Sequence, residues 1–132
     1  MDRPSIDGVL ETVLYCTSAN EAQVHQFYSD TLGLRRLGPG SSAYRAGTHV
    51  LLVFNRDATS DQQDPPPHGA SGPIHTCFTA PPRDYERWQT HLLERNVATF
   101  GERTWGNGVR SFYFEDPAGN LLEIADGDLW PR

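Results

Sequence analysis

The chain has few of the residues that staple or anchor a protein. Cys16 and Cys77 are the only two cysteines in 132 residues, and neither belongs to a Cys-x-x-Cys pair, so neither a disulfide framework nor a structural zinc site is expected. Each sits in an apolar run, where a small thiol is a common core filler. No stretch approaches the roughly 18 apolar residues of a membrane span, and Met1-Asp2-Arg3-Pro4 does not lead into the apolar segment of a signal peptide. A soluble, cytoplasmic protein is the expectation. Basic runs are lacking too: 11 Lys and Arg stand against 17 Asp and Glu, for a formal net charge of -6. That balance argues against nucleic acid and against an anionic membrane surface as partners. The length suits one compact domain over residues 1–132 with a core of its own.

Two similar halves emerge along the chain. Val9 to Cys16 is apolar and β-branched around a single charge, Glu11, and reads as a buried strand. Val24, Phe27, Tyr28 and Leu32 then fall at helical spacing, with Ser18 or Asn20 available as a cap and Gly33 as a stop, which predicts a helix over about Glu21 to Leu32. Arg35 to Leu37, Ser42 to Arg45 and Val50 to Phe54 follow as strands separated by Gly-Pro-Gly and Ala-Gly turns. The first module, about 8–54, is therefore βαβββ. Asn55 to Pro73 is polar and carries three consecutive prolines, Pro65 to Pro67, the composition of a linker or surface flap. The second module, about 74–126, repeats the order. Ile74 to Thr79 is a strand; Pro82 opens a helix whose apolar face is Tyr85, Trp88, Leu92 and Leu93; and Val97 to Glu102, Arg110 to Phe114 and Leu121 to Ala125 are strands. Aligning Glu11 with His75 superposes the first strands and helix starts, and aligning Gly47 with Gly119 puts Leu51 in the place of Glu123. Internal repetition of this kind is an informative signal of architecture.

The repeat places chemistry as well as structure. Glu123 lies among apolar neighbours on a strand that follows an Asp-Pro-Ala-Gly-Asn turn, and a buried carboxylate requires a partner, whereas a solvent-facing one does not. If a pseudo-twofold relates the modules, Glu11 and His75 from the two first strands converge with Glu123 in one cleft. One imidazole and two carboxylates suit a divalent ion and leave positions open for water or substrate.

Glu11-Thr12-Val13-Leu14-Tyr15, Phe27-Tyr28-Ser29-Asp30-Thr31-Leu32-Gly33-Leu34, Gly72-Pro73-Ile74-His75 and Phe114-Glu115-Asp116-Pro117-Ala118-Gly119-Asn120-Leu121-Leu122-Glu123 together resemble the vicinal oxygen chelate superfamily. That group includes glyoxalase I, bleomycin-resistance proteins, fosfomycin-resistance transferases and extradiol dioxygenases. The resemblance covers nearly all of the chain. It implies an α+β fold of two βαβββ modules forming a cup-shaped mixed sheet, often in a homodimer. It also implies a metal held by Glu11, His75 and Glu123, with Glu123 in the catalytic role. The chain departs from the family at two places: Glu11 stands where the metal enzymes usually have His, and Leu51 stands where glyoxalase I has a fourth ligand. One His with two carboxylates differs from the two-His, one-carboxylate pattern of the dioxygenases. Such a set suits manganese, magnesium, nickel or zinc.

Other residues are candidates for contact with substrate. His49 is two positions before Leu51 and on the same face of its strand, where it replaces the absent ligand, acts as a base or simply ends the strand. Tyr44, Arg110 and Tyr113 lie on the strands before the last one of each module, and an arginine there either neutralises an anionic substrate or forms a surface ion pair. Trp105, in a Trp-Gly-Asn-Gly turn, either closes over a ligand or anchors the hairpin. His25, His68 and His91 read as solvated. Three functions are consistent with this. The first is a metal-dependent lyase, isomerase or small-group transferase acting on a small oxygen-rich molecule. The second is a metal-free protein that sequesters an aromatic or cationic compound, and the third a structural dimer with a vestigial site.

Overall fold

The computed structural model describes residues 3–131. Strand β1, Glu11–Cys16, is followed by α1, Glu21–Gln26, which runs on into a π-helical turn over Phe27–Thr31. The Leu32 N–H reaches back to the Phe27 carbonyl at 3.0 Å, and this wider turn buries Phe27 and Tyr28 side by side. Gly33, at φ +70, ends the helix in a conformation that costs glycine little. Strands β2, Arg35–Arg36, β3, Ala43–Ala46, and β4, His49–Asn55, complete the first module. In the second, β5, His75–Thr79, leads through a 3-10 turn to α3, Tyr85–Glu94, and then to β6, Phe100–Thr104, β7, Arg110–Glu115, and β8, Leu121–Ala125. The sheets are four-stranded, ordered β1-β4-β3-β2 and β5-β8-β7-β6. In each the first strand pairs in parallel with the last, and the other neighbours are antiparallel. The architecture is α+β, and the expected repeat is present, element for element.

Several local expectations are corrected. Val9 and Leu10 precede β1 and are 62% and 76% exposed. The ladder to β4 opens only at Glu11 opposite Val50, so these two have no sheet to pack against. Val97 lies in the turn that closes α3 and not in β6: its N–H bonds the Leu92 carbonyl at 2.8 Å, past Asn96 at φ 61. The Asn55–Pro73 segment, expected as a linker or surface flap, carries a short helix. Its first turn is a helix, α2, Arg56–Asp61, which the Asn55 side chain caps by accepting from the Asp57 N–H. Farther along, His68 bonds the Tyr15 hydroxyl at 2.7 Å and lies against Phe54.

The strand register also changes one alignment between the modules. Opposite β1, Glu11 meets Val50 and Val13 meets Leu52; opposite β5, His75 meets Leu121 and Cys77 meets Glu123. With Glu11 on His75, the residue in the place of Glu123 is therefore Leu52, not Leu51. The turn before β4 is one residue out of step with the turn before β8, and a one-residue slip inverts the face of every side chain. Leu51 is buried against the core, as is its true counterpart Leu122.

One core spans both modules, gathering Leu14, Val24, Phe27, Tyr28, Tyr44 and Leu51 with Tyr85, Leu92, Phe112, Phe114 and Leu122. Three polar ties cross between them. Tyr28 donates to Asp116 at 2.6 Å, Asn120 Nδ2 donates to the Tyr15 carbonyl at 3.0 Å, and the His91 Nε2 to Thr31 carbonyl separation is 2.7 Å. His91 is thus a partly buried tie and not a solvated residue. Tyr28→Phe keeps the ring and removes only its hydroxyl, so it is expected to cost about 1.5–3 kcal/mol, the worth of a hydrogen bond to a charged group. Urea unfolding measures this, and an unchanged midpoint would show that the bond contributes nothing.

Candidate functional site

Side chains alternate across β8, so Leu122 and Ile124 enter the core while Glu123 points to the other face of the sheet. Its neighbours there follow from the ladder: Cys77 on β5 and Tyr113 on β7 are both directly opposite Glu123. His75 shares the face of Cys77 and reaches Glu123 along it, its Nε2 lying 3.1 Å from Glu123 Oε1. The pair is asymmetric in exposure, 45% for the His75 side chain and 5% for that of Glu123. The Tyr113 ring lies 5.8 Å from the imidazole and stacks on Phe100 from the other side. Gly101 makes room for it, since a Cβ there would come within 2.9 Å of Tyr113 Cδ1.

The hydrogen bonds of His75 define the state of the site. Nδ1 lies 2.9 Å from the Leu121 carbonyl, which only accepts, so Nδ1 carries a proton. Neutral imidazole then presents a lone pair at Nε2 to a carboxylate oxygen at 3.1 Å, and two acceptors face each other. A proton on one of the two groups, or a cation between them, reconciles the contact. Glu123 Oε2 is buried and meets no donor in hydrogen-bond geometry among the described residues. Both observations fit a divalent metal. Two atoms each about 2.1 Å from one octahedral ion lie about 3 Å apart, and a ligating histidine ordinarily turns its other nitrogen to a carbonyl or carboxylate. His75 and Glu123 are the residues that would hold the ion.

Cys77 and Tyr113 both interact with the Glu123 carboxylate. Cys77 retains exposed surface, but atoms crowding its sulfur, then the charge of Glu123 and a hydrogen bond to it push the thiol up to about 12. Burial, then the same charge and a hydrogen bond to it raise the Tyr113 phenol. Trp105 borders the site by donating from Nε1 to the buried Ser111 hydroxyl at 2.9 Å, and the Arg103 guanidinium lies over its ring at 5.2 Å.

The other candidates lie elsewhere. Glu11 is exposed, and the only three ligand-type side chains gathered within 4.8 Å of one another among the described residues do not include it. One chain therefore does not bring Glu11 to His75 and Glu123. Tyr44 is fully buried in the core, its hydroxyl 2.5 Å from His25 Nδ1. His49 shares the face of Leu51, opposite to that of Leu52, and borders an apolar cavity of about 430 Å³ between the modules with Thr12, Trp88 and Phe78. Arg110 alternates with Ser111 and Tyr113 and so faces away from Glu123. It lies over the Tyr85 ring at 4.2 Å, bonded to Asp126 at 2.8 Å and Glu86 at 2.7 Å. Burial raises the Asp126 carboxyl, but the Arg110 hydrogen bonds outweigh it and hold the group below the usual aspartate range. Cys77 is a further residue of this face that composition and periodicity do not mark. The ladder position beside Glu123, two residues after His75, was its signal.

Known proteins resemble the chain as follows. The model of the Glyoxalase/Bleomycin resistance protein/Dioxygenase superfamily matches residues 14–124. No curated protein matches in sequence. The structure of a lactoylglutathione lyase from Agrobacterium tumefaciens is 32% identical with a TM-score of 0.84, over 98% of this chain and 100% of that one. A putative glyoxalase family protein from Bacillus anthracis shares the fold at 17% identity and a TM-score of 0.73, over 96% of this chain and 100% of that one. The fosfomycin resistance protein FosX from Mesorhizobium loti shares it at 13% identity and 0.66, over 95% and 96%. On the family match and the paired βαβββ modules, the chain belongs to the glyoxalase/bleomycin resistance/dioxygenase superfamily.

Proposed function

We propose that the protein is a divalent-metal-dependent enzyme of the lyase or isomerase type, acting on a small oxygen-rich molecule at the His75–Glu123 face. The observation that carries this is the buried Glu123 carboxylate, with one oxygen 3.1 Å from His75 Nε2 and the other buried without a partner in hydrogen-bond geometry, beside the Cys77 thiol and the Tyr113 hydroxyl. A bound metal supplies a positive centre that polarises substrate oxygen. The residues supply the rest. Leu121 holds His75 in the tautomer that directs Nε2 at the site. Glu123 Oε2 would take a proton from a carbon beside a carbonyl and return it. Tyr113, protonated, offers a donor to substrate oxygen, and Phe100 with Gly101 fixes its ring. Lactoylglutathione is the first compound to try, because the Agrobacterium tumefaciens relative is named for it.

Glu11 enters this reading through a second copy of the chain. The His75–Glu123 face is open in one chain and Glu11 is exposed, so a homodimer in which the two modules of different copies face each other would add Glu11 to the site. Leu52 stands at the remaining position, which makes the site poorer by one ligand than the glyoxalase I set. A second reading, a protein that sequesters an aromatic compound without turning it over, draws on the apolar cavity beside Trp88 and Phe78.

Equilibrium dialysis against manganese, nickel or zinc, followed by elemental analysis, is expected to find a metal whose affinity falls at least tenfold in both His75→Ala and Glu123→Gln. Affinity unchanged in both variants would remove the metal-enzyme reading. Stabilisation by aromatic ligands in a thermal-shift screen, with no metal-dependent turnover, would favour sequestration. Sedimentation is expected to show a dimer, and Glu11→Gln to weaken metal binding without changing that dimer. A monomer would remove Glu11 from the site.

A further inference from the structure

A second group of ligand atoms lies on the helix side of the first module. Cys16 ends β1, and Glu21 and His25 stand four residues apart on α1, so both project from the same face of that helix. A thiol sulfur, a carboxylate oxygen and a ring nitrogen of these three lie within 4.8 Å of one another. Cys16 alternates with Tyr15 and, like Leu14, points into the core, whereas Tyr15 shares the sheet face of Glu11. The cluster is therefore on the opposite side of its sheet from the face that carries Glu11.

Hydrogen bonding prepares the histidine. The Tyr44 hydroxyl lies 3.3 Å from the His25 carbonyl and 2.5 Å from His25 Nδ1. The contact to Nδ1 is the shorter and so the stronger of the two, and it fixes the orientation of the ring. Nε2 is the nitrogen left for another partner. A buried group on one ring nitrogen is how metal-bound histidines are oriented. Neither the Cys16 thiol nor the Glu21 carboxylate has a hydrogen bond to another described side chain; burial, and then the negative charges of Glu21, Asp116 and Asp57, push the thiol up to about 11, so that a cation bound there displaces its proton and offsets those charges. Arg36 is the cation that faces His25.

We propose that Cys16, Glu21 and His25 form a zinc site that ties the end of β1 to α1, with Tyr44 positioning His25. Thiolate, carboxylate and imidazole are all established zinc donors, and three of them leave the fourth tetrahedral position to water. Softer sulfur ligation favours zinc over magnesium or calcium. The site is independent of the His75–Glu123 pair, shares no residue with it, and stands or falls separately.

Cobalt(II) titration of the reduced protein, stripped with a chelator, tests this by the near-ultraviolet charge-transfer band of a cobalt-bound thiolate. The band is expected in the unaltered chain and in Cys77→Ser and His75→Ala. It is expected to vanish in Cys16→Ser and to need at least tenfold more cobalt in Glu21→Gln and in His25→Gln. Tyr44→Phe is expected to weaken binding about tenfold, as loss of an orienting partner does. Because Cys16 is buried and its replacement can prevent folding, the half-buried Glu21 and His25 decide the matter by themselves. A band that follows Cys77 and not Cys16, an affinity indifferent to Glu21→Gln and His25→Gln, or no band at all would overturn the proposal.

Discussion

The structure depends on one buried carboxylate, that of Asp116. It accepts four hydrogen bonds: Tyr28 at 2.6 Å and Asn120 Nδ2 at 2.8 Å on one oxygen, the Ala118 and Asn120 amides at 2.8 and 3.0 Å on the other. A charge this deeply placed is tolerable only when its lone pairs are satisfied. Satisfying them closes the hairpin between β7 and β8, and it also draws in Tyr28 from the π-helical turn of the other module. Asn120, held by the same carboxylate, donates to the Tyr15 carbonyl and so ties the hairpin to β1. Asp116 thereby sets both the register of β8 and the docking of the modules. Displacing it would move Glu123, seven residues on.

Glu123 is the counterpart of Asp116 on the opposite account. One buried acid is saturated with donors; the other has an oxygen that meets no donor in hydrogen-bond geometry, with the Cys77 thiol and the Tyr113 hydroxyl beside it. Both occur in the same short stretch, and their types alone do not tell them apart. What separates them is the direction of the strand pleat, which sends Glu123 away from the core that Leu122 and Ile124 enter. The same pleat moves Arg110 and Tyr113, three residues apart, to opposite faces. It makes Arg110 a partner of Asp126, Glu86 and the Tyr85 ring, and makes Tyr113 a neighbour of His75. The two modules have also diverged in what covers this face. In the first, the segment after β4 brings His68 over Tyr15 and Phe54, while in the second His75 and Cys77 remain exposed.

By itself the sequence determined the βαβββ repeat, the extent of β8 and the hairpin turn, because periodicity and turn chemistry are local; that His75 and Glu123 meet was an expectation from the repeat and the family resemblance, and the ladder brings them to 3.1 Å. It did not determine which leucine occupies the place of Glu123. A one-residue difference between two turns is invisible to an alignment anchored on glycines, and only the hydrogen-bonded ladder resolves it to Leu52. Nor did it reveal that Tyr44 is core, that His25 and His91 are partners of buried groups, or that Glu11 lies apart from His75 within one chain. These are long-range facts. They follow from how the two sheets and the helices pack, and a residue's neighbours across that packing are set by the whole fold and not by the residues beside it in the chain.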